Sequence, residues 1–282
     1  MTTGNRFWPA RWFTATASAT PAASAAAVLP DDNAVGESRP DLEPKIKDVV
    51  FVHIPKAAGT SMRHMLSASL PTATKVFDYG TDTATLIAVQ RATMDAPGGD
   101  ANGSTMLGDI IDAFAADIQT PEKIVALRSE APRGQRFLVR SQRPVRHWSS
   151  AFHPASVVTF LREPVDRVVS NFRMHARQKR FTGSFAEFYE SHNQINAQSR
   201  QLSGTDLRDL GFIGLFELMP DMLKALSRHL GVELRMRHDN GADRSPRPTI
   251  DQATRARILA LNEDDLCLYR YVEANLDYFT NH

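Results

Sequence analysis

A run of apolar residues followed by helical spacing marks the start of the predicted fold. Residues 48–54 are rich in β-branched side chains, which is typical of a strand buried on both faces. Pro55 to Gly59 then breaks the run, and Thr60 and Ser61 stand where capping side chains of a helix are expected. The apolar positions of that helix are Met62, Met65 and Leu66. The pattern predicts a strand, a loop and a helix.

A second unit of the same kind lies about a hundred residues further on. Residues 156–161 form another apolar run that predicts a buried strand, and Arg162-Glu163-Pro164 ends it. Pro164 is well placed as the first residue of a helix. The apolar face of that helix consists of Val165, Val168, Val169 and Phe172.

Shorter signals fill in the rest of the chain. Further strands are predicted at 74–78, 136–139 and 212–215, and helices at about 82–94, 109–117, 219–230, 251–262 and 264–276, with a loop at 95–109. Strands that alternate with helices indicate a three-layer α/β domain with a mostly parallel central sheet. The first 44 residues are rich in Ala, Ser, Thr and Pro, so we expect a disordered arm at 1–44 and one domain at 45–282.

Composition narrows the class of protein. The 282 residues are 42% hydrophobic and 23% charged, with a formal net charge of +1, so no overall charge favours nucleic acid as a partner. Cys267 is the single cysteine, which excludes an intrachain disulfide and a Cys-rich metal site. No apolar run reaches the length of a membrane span. We expect a cytoplasmic protein without a metal; its oligomeric state is left open.

Basic residues are concentrated in two stretches despite the balanced total. Residues 128–147 carry six arginines against the single acid Glu130. Residues 173–180 add Arg173, Arg177, Lys179 and Arg180. Either an anionic ligand or a solvated arginine-rich surface accounts for these stretches, and the sequence leaves both open.

The first loop has the composition of an anion cradle. Lys56 precedes Gly59 and two hydroxyl residues, at the point where a strand passes into a helix. Backbone N–H groups at such a helix N-terminus bind anions, and Gly59 allows close approach of the backbone. Because the lysine precedes the glycine, the order differs from the G-x-x-x-x-G-K-[ST] loop of nucleotide triphosphatases.

The second loop supplies complementary chemistry. Arg162 stands at the strand end, and Ser170 lies eight residues later, about two helical turns on. Both can face the carboxyl edge of the sheet, where open α/β sheets bind ligands. A guanidinium together with a hydroxyl is suited to phosphate. The alternatives are an ordinary salt bridge for Arg162 and an ordinary helical position for Ser170.

Together the two loops resemble those of PAPS-dependent carbohydrate sulfotransferases, the family that includes heparan sulfate 2-O-sulfotransferase and bacterial relatives. The family patterns H-I-P-K-x-A-G-T-S and L-R-[DE]-P-V-x-R-x-x-S are both present, at 53–61 and 161–170. Three later segments are also similar to family motifs, at 196–204, 212–217 and 261–269. The resemblance covers roughly residues 48 to 272.

The resemblance implies a P-loop-like site for the donor PAPS (3′-phosphoadenosine 5′-phosphosulfate) and transfer to a hydroxyl of a glycan or other carbohydrate-like acceptor. It implies that Arg162 and Ser170 bind the 3′-phosphate, and that Lys56 is catalytic. The residues implied for the 5′-phosphosulfate are Pro55, Lys56, Ala57, Ala58, Gly59, Thr60 and Ser61.

The general base is where the sequence departs from the family. Many relatives carry a Gly-His pair some twenty residues before the arginine loop, and the matching position here is Gln142. A glutamine amide cannot accept a proton as a base. His147 is the nearest candidate and Asp78 a carboxylate alternative, while His147 as a packing or surface histidine stays equally open.

Three functions therefore compete. An active sulfotransferase is favoured by Lys56, and a PAPS- or PAP-binding protein with weak or lost transfer activity is favoured by Gln142. A P-loop kinase is disfavoured by the placement of the lysine and by the lack of a clear acidic strand end for Mg²⁺.

Overall fold

Five parallel strands form the central sheet of this computed structural model, which describes residues 48–78, 120–235 and 248–280. The strands are β1 Val49–Val52, β2 Thr74–Asp78, β3 Phe137–Ser141, β4 Val157–Leu161 and β5 Phe212–Leu215. They lie in the order β2-β3-β1-β4-β5, and every pairing is parallel. The predicted α/β architecture with a parallel central sheet is confirmed.

The helices alternate with these strands. They are α1 Gly59–Ser69, α2 Pro121–Glu130, α3 Pro164–Arg177, α4 Phe185–Tyr189, α5 Ala197–Leu202, α6 Met219–Leu230, α7 Gln252–Leu261, α8 Glu263–Ala274 and α9 Leu276–Thr280. The predicted start of α3 at Pro164 is confirmed. Helices α2, α4, α5 and α9 had not been foreseen. The predicted arm 1–44, the helices at 82–94 and 109–117, and the loop 95–109 lie outside the described residues.

The buried strands hold the core together because they are apolar on both faces. All residues of β1, β4 and β5 are buried, as continuous apolar runs predict. A second apolar cluster lies apart from this core. Its buried members are Val165, Val168, Val169, Phe188, Tyr189 and Ile258, contributed by α3, α4 and α7. The predicted apolar face of α3 therefore packs against helices.

The order of the strands fixes where a ligand can bind. Strands β2 and β3 lie on one side of β1, and strands β4 and β5 lie on the other side. The direction in which the chain adds strands to the sheet therefore reverses between β1 and β4. The loops after β1 and β4 leave neighbouring strands at the same carboxyl edge. Open α/β sheets bind ligands at such a point.

Candidate anion-binding site

The loop between β1 and α1 has an unusual backbone. Lys56 has φ 69° and Ala58 has φ 66°, so two residues other than glycine adopt the left-handed region on either side of Ala57. Such residues cost on the order of 1–3 kcal/mol each and persist where the surrounding structure fixes them. Alternation of left-handed and right-handed residues turns successive N–H groups toward one concavity, which is an anion-binding shape.

Helix α1 begins at Gly59 without a capping side chain. Its N-cap residue is Ala58, no side chain accepts a hydrogen bond there, and no acid lies in the first turn. The prediction that Thr60 and Ser61 cap this helix is wrong, because the left-handed Ala58 starts the helix earlier and places both residues within the first turn. The first N–H groups of a helix have no partner within it, so this N-terminus favours an anion.

Gly59 is needed for a reason that the sequence did not reveal. A Cβ atom at Gly59 would lie 1.6 Å from Nε2 of His53, so the imidazole fills the space of the missing side chain. The side-chain nitrogen of Gln142 lies 3.3 Å from the other ring nitrogen, Nδ1. Burial, followed by the charges of Arg63 and Lys56, lowers the pKa of His53 to about 4. His53 is therefore neutral at pH 7 and packs on the start of α1.

Arg162 joins the two loops. Its Nη1 donates a hydrogen bond to the backbone oxygen of Lys56 at 3.2 Å, and its Cζ lies 4.3 Å from the centroid of the Phe216 ring. Residues about a hundred positions apart in the chain thus meet at the carboxyl edge, as the strand-end positions indicated. Phe216 was not foreseen as a partner, although its place directly after β5 puts it beside the end of β4.

Several cations act on one another around these loops. The pKa of His175, on α3, is lowered by burial, then by the charge of Arg180 and that of Lys56. The charge of Arg162 contributes to lowering the pKa of the buried Arg167, where burial is the largest cause. Helix α3 therefore passes within electrostatic reach of Lys56, and Ser170 is half-buried on that helix. The contacts of Ser170 with a ligand stay a prediction.

The two candidates for the base position have different neighbours. Gln142 follows β3, contacts His53, and accepts a hydrogen bond from Nε2 of Gln201 on its backbone oxygen at 2.9 Å. His147 lies in a short 3₁₀ turn, Val145–Trp148, with its ring edge-on to Trp148 at 4.8 Å. It lies within electrostatic reach of Glu122 in the first turn of α2. Asp78 ends β2 beside Ser141 of β3.

Within the described ranges, no group of three or more His, Cys, Asp or Glu side chains is arranged to hold a metal ion. No helix among these residues is long and apolar enough to cross a membrane. No protein-family model and no curated protein matches the sequence. Among solved structures, the chain is similar to a crystal structure of a sulfotransferase from Alicyclobacillus acidocaldarius, with 18% sequence identity and a TM-score of 0.38 over 81% of this chain and 94% of that chain.

Proposed function

We propose that this chain is a sulfotransferase that moves a sulfuryl group from PAPS to a hydroxyl of a carbohydrate-like acceptor and releases PAP. One observation carries the proposal: the Arg162 guanidinium reaches the backbone of Lys56 beside the uncapped start of α1. This arrangement offers an anionic donor the guanidinium of Arg162, a lysine in the adjoining loop and the N–H groups at the start of α1.

The donor would bind along the carboxyl edge between β1 and β4. We assign the 5′-phosphosulfate to residues 55–61, which include the uncapped start of α1, and the 3′-phosphate to Arg162 and Ser170. The contact of Arg162 with Lys56 supports this assignment because the guanidinium of Arg162 reaches the backbone of the loop between β1 and α1. The ring of Phe216 beneath the guanidinium holds it by a cation–π contact.

The reaction requires in-line displacement at sulfur. The acceptor oxygen forms a bond to sulfur while the bond from sulfur to the phosphate oxygen breaks, and negative charge develops on that oxygen as PAP leaves. Lys56 would stabilise this charge, together with the N–H groups at the start of α1. Because these groups supply the positive charge, we expect transfer without an added metal ion.

The acceptor hydroxyl must lose its proton, and we assign this step to His147. The assignment is supported by its position in the turn that follows the carboxyl end of β3 and by its half-buried imidazole. A neutral imidazole has suitable basicity for proton transfer near pH 7.

A second function is favoured by a specific contact. Gln142 occupies the expected base position, and its amide bonds to His53 instead of being available to an acceptor. A protein that binds PAPS or PAP with weak or lost transfer activity would have this feature, because the donor site does not depend on the base.

Two measurements separate these functions. PAP binding is measured by titration calorimetry, and transfer is measured with sulfur-labelled PAPS on a panel of glycans, with and without a chelator. Binding with chelator-resistant transfer supports the enzyme, and binding without transfer supports the binding protein. A chain that does not bind PAP contradicts both proposals.

A further inference from the structure

The side chain of Gln198 holds the backbone of Arg162 on both sides. Its Oε1 accepts a hydrogen bond from the N–H of Arg162 at 2.9 Å, and its Nε2 donates to the oxygen of Arg162 at 2.8 Å. Arg162 lies one residue beyond the end of β4, so the amide pairs with it as a neighbouring strand would. Gln198 is fully buried, so the Gln198 end of both bonds is shielded from water.

Gln198 is itself fixed by a buried carboxylate. Asp265 accepts hydrogen bonds from the backbone N–H of Gln198 at 3.0 Å and of Ser199 at 2.8 Å, and from Oγ of Ser199 at 2.9 Å. These N–H groups belong to the first turn of α5, whose N-cap residue Asn196 makes no side-chain cap bond. A residue of α8 thus caps α5, and the position of Gln198 depends on how the two helices meet.

The cap is reciprocal, which leaves little freedom between the helices. Oδ1 of Asn196 accepts from the N–H of Asp265 at 3.3 Å, and Nδ2 of Asn196 donates to Asp264 at 2.8 Å. The N–H of Asn196 donates to Oδ1 of Asn262 at 2.9 Å. The starts of α5 and α8 are therefore joined by side chains from both.

The buried charge in this network has a partner of opposite sign. Asp265 is fully buried and lies 3.9 Å from Nε of the equally buried Arg167, so its charge is opposed by that guanidinium. Arg162 contacts a backbone oxygen and an aromatic ring through its own guanidinium, and both contacts keep its positive charge. The network therefore orients Arg162 through its backbone, while the carboxylate of Asp265 contacts the backbone of Gln198 and the guanidinium of Arg167.

We infer that Gln198 is a positioning residue for the guanidinium of Arg162 and that Asp265 sets the position of Gln198. The inference rests on the proposed function, in which Arg162 binds the 3′-phosphate of the donor. The inference assigns a shared role, the positioning of Arg162, to the two segments 196–204 and 261–269. The donor site alone does not explain these segments. Asp265 of the second segment holds the backbone of Gln198, and the side chain of Gln198 holds the backbone of Arg162.

The test compares two buried residues of the same turn in the full chain. Gln198→Ala removes both bonds to Arg162. Ser199→Ala removes a buried hydroxyl but keeps the backbone N–H bonds of residues 198 and 199 to Asp265, and with them the position of Gln198. We expect Gln198→Ala to weaken PAP binding about tenfold or more and Ser199→Ala to change it less than about twofold, with similar losses of Tm in both. Equal weakening by both variants, in step with their losses of Tm, would overturn the inference.

Gln198→Glu adds a readout that a purely structural role would not move, and it also serves if Gln198→Ala does not fold. A protonated carboxyl group can donate to the oxygen of Arg162 as the amide does, whereas a carboxylate cannot. PAP binding by this variant should therefore strengthen between pH 8 and pH 5.5 relative to the parent protein. Parallel pH profiles for the variant and the parent would contradict the positioning role.

Arg162→Ala separates failure of this inference from failure of the proposed function. If Arg162→Ala leaves PAP binding unchanged, the donor site itself is assigned wrongly. If Arg162→Ala weakens binding and Gln198→Ala and Gln198→Glu do not, the donor site stands and the positioning role is refuted.

Discussion

Helices α1 and α3 follow neighbouring parallel strands, but their N-termini are completed in opposite ways. Helix α1 follows Ala58, a residue with left-handed backbone whose methyl group cannot accept a hydrogen bond, and it has no acid in its first turn. Helix α3 starts behind Glu163, whose carboxylate accepts from the N–H of Asp166 at 2.8 Å and pairs with Arg255 at 2.8 Å. The N-terminus of α1 therefore has no side-chain cap, which we call open, and the N-terminus of α3 is capped by Glu163, which we call closed.

This difference indicates separate roles in the proposed site for two strand-to-helix junctions. The first joins β1 to α1, and the second joins β4 to α3. The positive end of α1 is left for an external anion, because neither a cap nor an acid neutralises it. At α3 the protein satisfies its own N-terminus, and the junction contributes the side chain of Arg162 instead. We therefore expect substitution of Lys56, at the first junction, to affect transfer most, and substitution of Arg162, at the second, to affect PAP binding most.

The largest expected effect is on turnover at the open junction. Lys56→Ala should lower kcat by about a thousandfold, because the lysine stabilises charge that develops only in the transition state. PAP affinity should fall far less, since the N–H groups of α1 still bind phosphate. Lys224→Ala, which removes an exposed lysine of α6, is the control for loss of charge. Equal losses of kcat and PAP affinity in Lys56→Ala would make Lys56 a binding residue only.

The packing of His53 on the open N-terminus should make stability depend on pH. The pKa of His53 falls from 6.5 to about 4 on folding, so between these values the unfolded chain binds a proton that the folded chain does not. This contribution is complete above pH 6.5 and is lost as the pH falls toward 4. Between pH 7 and pH 5 the loss amounts to about 2 kcal/mol in the free energy of unfolding.

Urea unfolding of the parent and of His53→Gln at both pH values measures this effect. Other groups contribute equally to both proteins, so the difference between their pH slopes isolates His53. Identical slopes would show that the imidazole is not held neutral in the fold.

Proton transfer should depend on neither helix start. His147→Ala should lower kcat by about a hundredfold with PAP affinity preserved, the usual scale for loss of a general base. Gln142→His should leave activity equal or higher. His153→Ala is the matched control, because His153 is an exposed histidine six residues further along the chain, shortly before β4. Full turnover in His147→Ala would place the base elsewhere, with Asp78 as the next residue to test.

The smallest expected effects come from exchanging the caps. Ala58→Asp gives α1 a carboxylate cap and should weaken PAP binding about tenfold by like-charge repulsion. Ala58→Asn is the uncharged control. Glu163→Ala should lower the free energy of unfolding by about 1 kcal/mol while changing PAP affinity little. If Ala58→Asp and Glu163→Ala weakened PAP binding equally, the two junctions would not differ as described.

The sequence predicted the strands and helices whose signals are local. The apolar runs gave β1 and β4, and Pro164 gave the start of α3, because each depends on neighbouring residues alone. Helix α5 could not be predicted in this way, since its cap is Asp265, which comes from α8 far along the chain. Helix α4 was missed although its capping box, Ser184 with Glu187, is readable in the sequence.

The sequence predicted which residues form the candidate site better than it predicted how their backbone and side chains are arranged. Lys56 and Arg162 were identified from their positions at strand ends, and the structure brings them together. The left-handed backbone of Ala58 contradicts ordinary residue preferences, so no local rule predicts it. The dependence of Gly59 on His53 also escaped prediction, because the ring folds back onto a residue six positions away.

The most direct test of the donor site is the change in Tm on adding PAP to the parent, Arg162→Ala and Arg255→Ala. At a concentration of about 100 times Kd, PAP should stabilise the parent by about 2.7 kcal/mol, because it binds only the folded chain. Arg255→Ala removes a neighbouring charge that contacts Glu163 and should keep the full shift. The account predicts that Arg162→Ala loses the shift; an unchanged shift in Arg162→Ala would contradict it.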